Sequence, residues 1–459
     1  MTSLWTADEI AGAVGGAVHG AFAANGVAFD SREVQTGDLF IAMKGEATDG
    51  HLFLDRAFAA GASGAIVSEE IAPPHVHVDD SVAALTALGH GARARSAAKI
   101  IGVTGSVGKT GTKEALFAAL DRSAPGRAHR SLKSYNNHTG VPLSLARMPR
   151  ETRYGIFEMG MNHAGELAML TQIVRPHVAI VTAIAPAHRE FFASEEAIAD
   201  AKGEIFSGLE PGGTAIIPDD SPHRERLIAA ARPFAGRIWT FGRTQRADIW
   251  ARDVVPAQGV GSLVSASLPG ADLTFTIAQP GEHWVSNALA VIAAVHAVGG
   301  DLAAAGLALA DQQGLKGRGA RHIIHLPDGD ALLIDESYNA NPASMRATLA
   351  TLGAEDVSGR RIAVLGAMRE LGVDSADFHA ALAEPVEAAG VSFAVLVGEE
   401  MAPLAHALGN RITLTHVPDT AAAIAALRGR IAPGDAILVK GSNTVGLAAL
   451  VDALAGGKS

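Results

Sequence analysis

Lys99-Ile-Ile-Gly-Val-Thr-Gly-Ser-Val-Gly-Lys-Thr-Gly-Thr112 is the stretch on which the fold of this chain turns. Residues 100–103 form an apolar run of buried-strand length, which breaks into a loop with glycines at 102, 105 and 108. Lys109 and Thr110 then open Lys113-Glu-Ala-Leu-Phe-Ala-Ala-Leu120, whose apolar residues fall at helical spacing. Strand, glycine loop, Gly-Lys-Thr and helix together make a phosphate cradle. Backbone N–H groups and the helix N-terminus face the anion, the lysine adds a point charge, and the hydroxyl is a magnesium ligand. The general pattern has glycine where Val103 stands, and the spacing here is Gly-x-x-Gly-x-x-Gly-Lys-Thr. A glycine-rich turn that holds no phosphate is the plainer alternative, but the Lys-Thr pair sits where nucleotide chemistry needs it.

Composition sets the frame around this motif. A chain of 459 residues is too long for one core and predicts two to four domains. With 48% hydrophobic and 19% charged residues it reads as globular, and its 51 glycines often end apolar runs, as in α/β folds. A net charge of −11, from 37 Lys+Arg against 48 Asp+Glu, argues against a general nucleic-acid surface and for a small-molecule nucleotide. The absence of cysteine excludes disulfides, thiolate catalysis and a cysteine zinc site, and fits a reducing compartment. Asp8 and Glu9 sit where a signal peptide would be basic, and the apolar run 288–300 is interrupted by His296 and too short to span a bilayer. The expectation is a soluble, cytoplasmic protein.

Three blocks follow in order. Residues 1–95 read as a small α/β unit: a helix over 6–14, a turn at Phe29-Asp-Ser-Arg32, a strand within 37–45, a helix over 52–60 and a strand near 61–67. By pattern alone, Asp30-Ser31-Arg32 is a turn stapled by its own side chains. Residues 96–312 hold the phosphate cradle, the polar cluster Ser134-Tyr-Asn-Asn-His-Thr-Gly-Val-Pro142, strands at 154–160 and 178–184, a helix over 195–206, an antiparallel edge between 215 and 277, and an Ala-rich helix opened by Gly281-Glu-His-Trp-Val-Ser-Asn-Ala-Leu-Ala290. Residues 313–459 predict strands at 331–335, 361–365, 393–397, 411–415 and 436–440, alternating with helices at 343–353, 376–389, 419–429 and 444–455. That alternation reads as a doubly wound, dinucleotide-fold-like domain, but no Gly-x-Gly-x-x-Gly follows its first strand, so NAD is not expected. The fold class is α/β in three domains, the central one a P-loop parallel sheet with an antiparallel edge.

Glu158 lies near the C-terminal end of its strand and His188 follows another, which is where ligands gather in parallel sheets. With Thr110 they suggest magnesium held against a γ-phosphate. Read bare, however, a lone histidine after a strand is usually structural, and Lys202 is a solvated helix position.

The motifs taken together resemble the Mur ligase family, which forms the amide bonds of the peptidoglycan peptide at the expense of ATP. The resemblance covers essentially the whole chain. It rests on Asp30-Ser-Arg32 with Gly37-Asp-Leu-Phe40 and Asp49-Gly-His51, on Thr104-Gly-Ser-Val-Gly-Lys-Thr110, and on Asn136-Asn-His-Thr-Gly-Val-Pro142 and Glu158-Met-Gly-Met-Asn162. Asp335-Glu-Ser-Tyr-Asn-Ala-Asn-Pro342 and Val439-Lys-Gly-Ser442 complete it. It implies that Thr104, Gly105, Ser106, Val107, Gly108, Lys109 and Thr110 cradle ATP. Thr110 and Glu158 would bind one Mg2+, and His188 a second together with Lys202 carried as a carbamate. Asn287 would meet adenine and Arg318 the γ-phosphate, with Asp335, Glu336 and Asn339 lining the nucleotide from the third domain. Ser31 and Arg32 would hold the uridine end of the substrate, and Asn137 and Thr139 its middle. The catalytic set implied is Lys109, His188, Lys202 and Arg318.

Within the family the motifs are nearest the members that add D-Ala-D-Ala to UDP-N-acetylmuramoyl-tripeptide through an acyl phosphate. That implies two small-molecule substrates, no nucleic acid, no membrane insertion and a monomer. Departures from the family pattern are Trp284 before the adenine helix, Glu336 for Asp, Ala367 for Asp, and Asn443 after Lys-Gly-Ser. The last two bear on dipeptide recognition. A sister ligase adding the diamino acid would carry an Asp-Asn-Pro-Arg motif, which is absent. A folylpolyglutamate synthetase would lack a unit like residues 1–95, and a non-catalytic nucleotide scaffold would tend to lose one of Glu158, His188, Lys202 and Arg318.

Overall fold

The computed structural model describes residues 3–45, 48–186, 190–257 and 261–456. Its frame is three main sheets. The first has five strands, running in space Ala17–His19, His75–His77, Gly64–Val67, Asp38–Ile41 and Gly26–Ala28, all parallel except the outer pair of Ala17–His19 with His75–His77. The helix Ala7–Val14 starts where Thr6 and Glu9 form a reciprocal capping box and stops at Gly15. The expected helix over 52–60 begins as a 3-10 turn, Gly50–Phe53, because the Asp49 side chain caps the His51 N–H, and continues as Leu54–Ala59.

Within residues 1–95, one helix was not legible. Ser81–Ala94 carries Gly89 and Gly91, which weaken a helical reading, yet Asp80 caps it by accepting from Val82 and Ala83 N–H. Gly89 has a packing reason: a Cβ there would stand 3.0 Å from Pro142 Cα, on the helix Gly140–Ala146. Around this close crossing a single hydrophobic core runs from Trp5, Ile10 and Leu39 through Leu85 and Leu88 to Leu145, Phe157 and Phe206, so the first sheet is seated on the central one. Trp5 Nε1 donates to Ala146 O at 2.9 Å and Arg147 Nε to Val27 O at 2.6 Å across the same seam.

The central sheet has nine strands. Lys99–Thr104 lies between Tyr154–Glu158 and Val178–Val181, with Ala128–Arg130 outside the former. On the other side come Thr214–Pro218 and Arg237–Gly242, parallel to it, because the helix Arg224–Ala231 between them makes a crossover. The antiparallel edge is therefore narrower than expected from sequence. It starts at Ile249–Pro256, paired with Ser262–Leu268 and then Ala271–Ile277. The helices Lys109–Ser123 and Glu282–Ala297 cover one face of this sheet with a second core.

The third sheet orders Ala320–Leu326, Gly329–Glu336, Ala436–Lys440, Arg361–Gly366, Val391–Val397 and Thr413–Val417, with apolar cores on both faces. All five expected strands are present. The sixth, Ala320–Leu326, is an antiparallel edge whose Arg321, His322 and His325 hide it from a search for apolar runs. The helix expected over 376–389 is two, Ser375–Ala380 and Ala383–Ala388, with Pro385 in the first turn of the second. The one expected over 444–455 is a 3-10 turn, Asn443–Val445, then Ala448–Ala455. No described helix is long and apolar enough to cross a membrane.

Candidate active site

The glycine loop leaves the central strand Lys99–Thr104 and enters the helix Lys109–Ser123 at Gly108, whose φ is +85°. Its mouth opens into a cavity of about 520 Å3 between the central and third sheets. Ser106, Val107, Gly108, Lys109 and Thr110 line it, whereas Thr104 and Gly105 lie behind the wall. Thr104 is buried, and its carbonyl accepts from Thr182 N–H at 2.9 Å. Lys109 curls over the loop, with Nζ donating to Gly105 O at 2.6 Å. Burial pushes this ammonium down; Glu158 opposes that shift and Arg318 adds to it.

Glu158 is the hub of the central wall. Only 2% exposed, it accepts from Thr110 Oγ1 and from Asn136 Nδ2, each at 2.9 Å, while Lys113 Nζ stands 3.8 Å from Oε2. Lys113 is itself held by Glu114 at 3.1 Å and by the Lys133 carbonyl at 3.0 Å. A buried carboxylate and a hydroxyl meeting at a cavity wall are hard oxygen donors, the kind that suit Mg2+. The residues present fit that ion.

Facing them is the third sheet. Arg318 stacks its guanidinium 4.3 Å over the ring of Tyr338, whose hydroxyl lies 2.5 Å from Ser134 Oγ on the central domain. Glu336 and Asn339 line the cavity, and so does Lys440, which is 2% exposed. Lys440 Nζ donates to Asn339 O at 2.9 Å and stands 3.5 Å from Glu336 Oε2. Burial pushes Glu336 up and Lys440 down, each shift opposed by the other partner.

Asp335 does not face the cavity. Its carboxylate accepts from Gly317 N–H at 2.6 Å and from Ser337 Oγ at 2.6 Å, so it builds the turn that presents Arg318. Asn287 projects from the helix Glu282–Ala297 toward the loop, where a Cβ on Gly108 would meet its Oδ1 at 2.7 Å. On the same helix the Trp284 ring packs against Gly111, and His283, pushed down to about 4 chiefly by burial, presents a neutral ring to the cavity.

Lys202 lies in the last turn of the helix Glu195–Gly203 and is 1% exposed. Burial first, and then the charge of Lys109, push its ammonium far down. His188 lies outside the described residues.

The four residues expected at the long substrate do not line this cavity. Arg32 folds back on Asp30, Nη2 donating at 2.6 Å and Nε at 2.9 Å, which holds the Asp30 carboxyl down at about 2. Ser31 beside it is 8% exposed. Asn137 Oδ1 accepts from Thr139 Oγ1 at 3.1 Å and from Gly140 N–H at 2.9 Å, capping the helix Gly140–Ala146. Glu33 links the two sets, accepting from Tyr135 Oη at 2.9 Å and pairing with Lys133. Tyr338, Asn136 and Lys440 lie within motifs quoted above, but nothing in their spacing assigned them to the cavity. An aromatic two residues after the strand-end carboxylate Glu336 was the available signal for Tyr338.

Comparison with known proteins follows this geometry. Residues 24–104 match the catalytic domain of the Mur ligase family, 103–295 the Mur ligase middle domain, and 322–443 the glutamate ligase domain. The chain is 34% identical to the UDP-N-acetylmuramoyl-tripeptide–D-alanyl-D-alanine ligase of Escherichia coli (strain K12), covering 93% of each chain. It is 35% identical to the enzyme of that name from Synechocystis, over 94% of this chain and 92% of that one. The crystal structure of MurF from Acinetobacter baumannii superposes with a TM-score of 0.85 at 30% identity, over 99% of both chains. With all three parts matched in order and the relatives spanning nearly its full length, this chain belongs to the Mur ligase family.

Proposed function

We propose that this chain is an ATP-dependent ligase that joins D-Ala-D-Ala to UDP-N-acetylmuramoyl-tripeptide. One observation carries the reading beyond likeness. Lys109, Thr110 and Glu158 from one sheet and Arg318, Glu336 and Lys440 from another surround the same cavity. A P-loop that only bound nucleotide would not need the second set.

In this reading the division near residues 95 and 312 assigns the UDP end to the first unit, ATP to the second and the incoming dipeptide to the third. Ser31 and Arg32 hold the uridine end, and Asn137 and Thr139 the middle of the substrate. The tripeptide carboxylate attacks the γ-phosphorus and ADP leaves. The dipeptide amine then attacks the acyl carbon of the acyl phosphate, losing a proton as inorganic phosphate departs. Lys109 and Arg318 neutralise charge on the transferring group from opposite walls, where pre-oriented donors are worth about 10²–10³ in rate each. Asn287 positions the adenine end. Thr110 and Glu158 would hold Mg2+, which would spread the charge of the phosphates. His188 and Lys202 would hold a second ion.

Lys202 suits that task only as a carbamate. A fully buried ammonium in the field of Lys109 is disfavoured, whereas the neutral amine can add CO2, release a proton and present two oxygens that share one negative charge. A cytoplasmic monomer is the setting proposed.

The deciding assay measures ATP-dependent phosphate release with UDP-N-acetylmuramoyl-tripeptide and D-Ala-D-Ala, against the dipeptide precursor with a diamino acid. Release only with the first pair is expected. Turnover of the second pair alone would assign the sister activity.

A further inference from the structure

The outer edge of the first sheet carries a side-chain cluster with no part in the cavity. His19, on the edge strand Ala17–His19, lies directly opposite His75 in the antiparallel register. Their rings stack with centroids 4.6 Å apart and planes within 3°. Glu70, in the connection that precedes His75, brings Oε2 to 3.8 Å from His75 Nε2. One ligating atom from each of the three lies within 4.8 Å of the other two. His19 and Glu70 are exposed, and His75 is 1% exposed.

The tautomer of the neutral His75 ring is set by its neighbour. Nδ1 lies 2.9 Å from the carbonyl of Pro73, which can only accept, so Nδ1 carries the proton and Nε2 presents a lone pair. That Nε2 is buried and has no hydrogen-bond partner among the described residues. An imidazole whose other N–H is tied to a backbone carbonyl, with a second imidazole and a carboxylate each offering a ligating atom within 4.8 Å, becomes a metal ligand once the exposed His19 ring turns out of the stack so that both in-plane lone pairs meet one ion. Pro73-Pro74 stiffens the backbone that supplies the carbonyl. The neighbouring group Asp49, His51 and Glu69 makes the contrast. There both ring nitrogens are used, Nδ1 with Asp49 Oδ1 at 2.7 Å and Nε2 accepting Ser68 N–H at 3.0 Å, so His51 has nothing left to offer a cation.

We propose that His19, Glu70 and His75 bind a zinc ion that clasps the edge strand to the connection before His75. Two imidazoles and one carboxylate, with a fourth position for water, suit zinc and not magnesium, which wants an all-oxygen shell. The ion ties together the only antiparallel pair of this sheet, at its open edge.

The test uses full-length, tag-free protein with saturating Mg2+ and ADP, so that the nucleotide cavity is filled. Cobalt titration followed by visible absorption should give one equivalent with the intense bands of a four-coordinate site, displaced by zinc. Zinc should also raise the melting temperature. His19→Ala and Glu70→Gln, both at exposed positions, should each weaken zinc binding at least tenfold, abolish the zinc-dependent rise in melting temperature, and leave turnover unchanged. No uptake by the parent protein, or uptake of equal strength in His19→Ala, would overturn the proposal. His75→Ala is not the deciding variant, because its ring is part of the packed interior.

Discussion

Replacing Gly108 with alanine tests the phosphate cradle where its geometry is least forgiving. Gly108 sits at φ +85°, and a Cβ there would come to 2.7 Å from Asn287 Oδ1. The left-handed backbone costs an L-residue about 1–2 kcal/mol. The overlap adds to this, since Asn287 must swing away from the position it holds over the loop. The free loop can relax from that strain, whereas a bound phosphate demands the N–H array of the native conformation, so the cost appears in affinity. About 2 kcal/mol corresponds to roughly a thirtyfold rise in Kd. Gly126→Ala is the matched control: its φ is +71°, with nothing within 4 Å of the added Cβ. It should lower the melting temperature through the backbone term alone and leave nucleotide binding intact. Calorimetric titration of ADP in Mg2+ supplies the readout, and a double-mutant cycle with Asn287→Ala separates the overlap from the backbone. ADP binding within twofold of the parent in Gly108→Ala would refute the placement of the phosphates in this loop.

Three further expectations use other walls of the site. Lys202→Ala should abolish amide formation, and millimolar short carboxylates should restore part of it by supplying oxygens; Lys202→Arg should gain nothing, since a fixed positive charge stays beside Lys109. Arg318→Ala should lower kcat by a hundredfold or more with ADP affinity nearly unchanged, and an equal loss in both would move Arg318 from the γ-phosphate to the body of the nucleotide. The Asp30–Arg32 pair sets a pH window: a carboxyl lowered from 3.8 to about 2 by folding stabilises the turn fully above pH 3.8, and loses that contribution as pH falls toward 2. With Arg32 exposed the effect on stability is small, so the measurement is the Asp30 titration by carboxyl NMR, whose midpoint should return toward 3.8 in Arg32→Ala.

What the sequence disclosed and what it hid follow from the range of the interactions involved. The cradle was legible because Gly108, Lys109 and Thr110 are consecutive and their chemistry is local. Glu158 was legible as a carboxylate at a strand end. Asp335 and Glu336 show the limit: successive strand residues point to opposite faces, so a motif that places both at a strand end does not say which one reaches the ligand. Glu336 lines the cavity, while Asp335 turns inward to Gly317 and Ser337. The Tyr338–Ser134 hydrogen bond joins residues 204 apart in sequence and was beyond any local pattern. The helix Ser81–Ala94 was missed for the opposite reason, since its glycines answer to distant packing partners, Gly89 to Pro142 some fifty residues later and Gly91 to Ala13 earlier in the chain, not to the helix itself.

The charges around the cavity favour an anion between its two walls. Lys109 carries the cost of burial and of facing Arg318, and Lys202 that of burial beside Lys109. Glu158 and Glu336 offset only part of this, and each already has its own lysine within 4 Å, Lys113 for the first and Lys440 for the second. Cations brought together from two sheets repel one another until an anion enters between them, and repulsion in a partly desolvated cavity is weakly screened. A triphosphate supplies that anion along the line from the glycine loop to Arg318. The repulsion between the facing cations becomes attraction when phosphates stand between them. Tyr338, packed under the Arg318 guanidinium and hydrogen-bonded to Ser134, ties that change to the seam between the domains. In the proposed reaction, closure over the reacting carboxylate would follow the arrival of ATP and keep water from the acyl phosphate at the stage when hydrolysis would waste it.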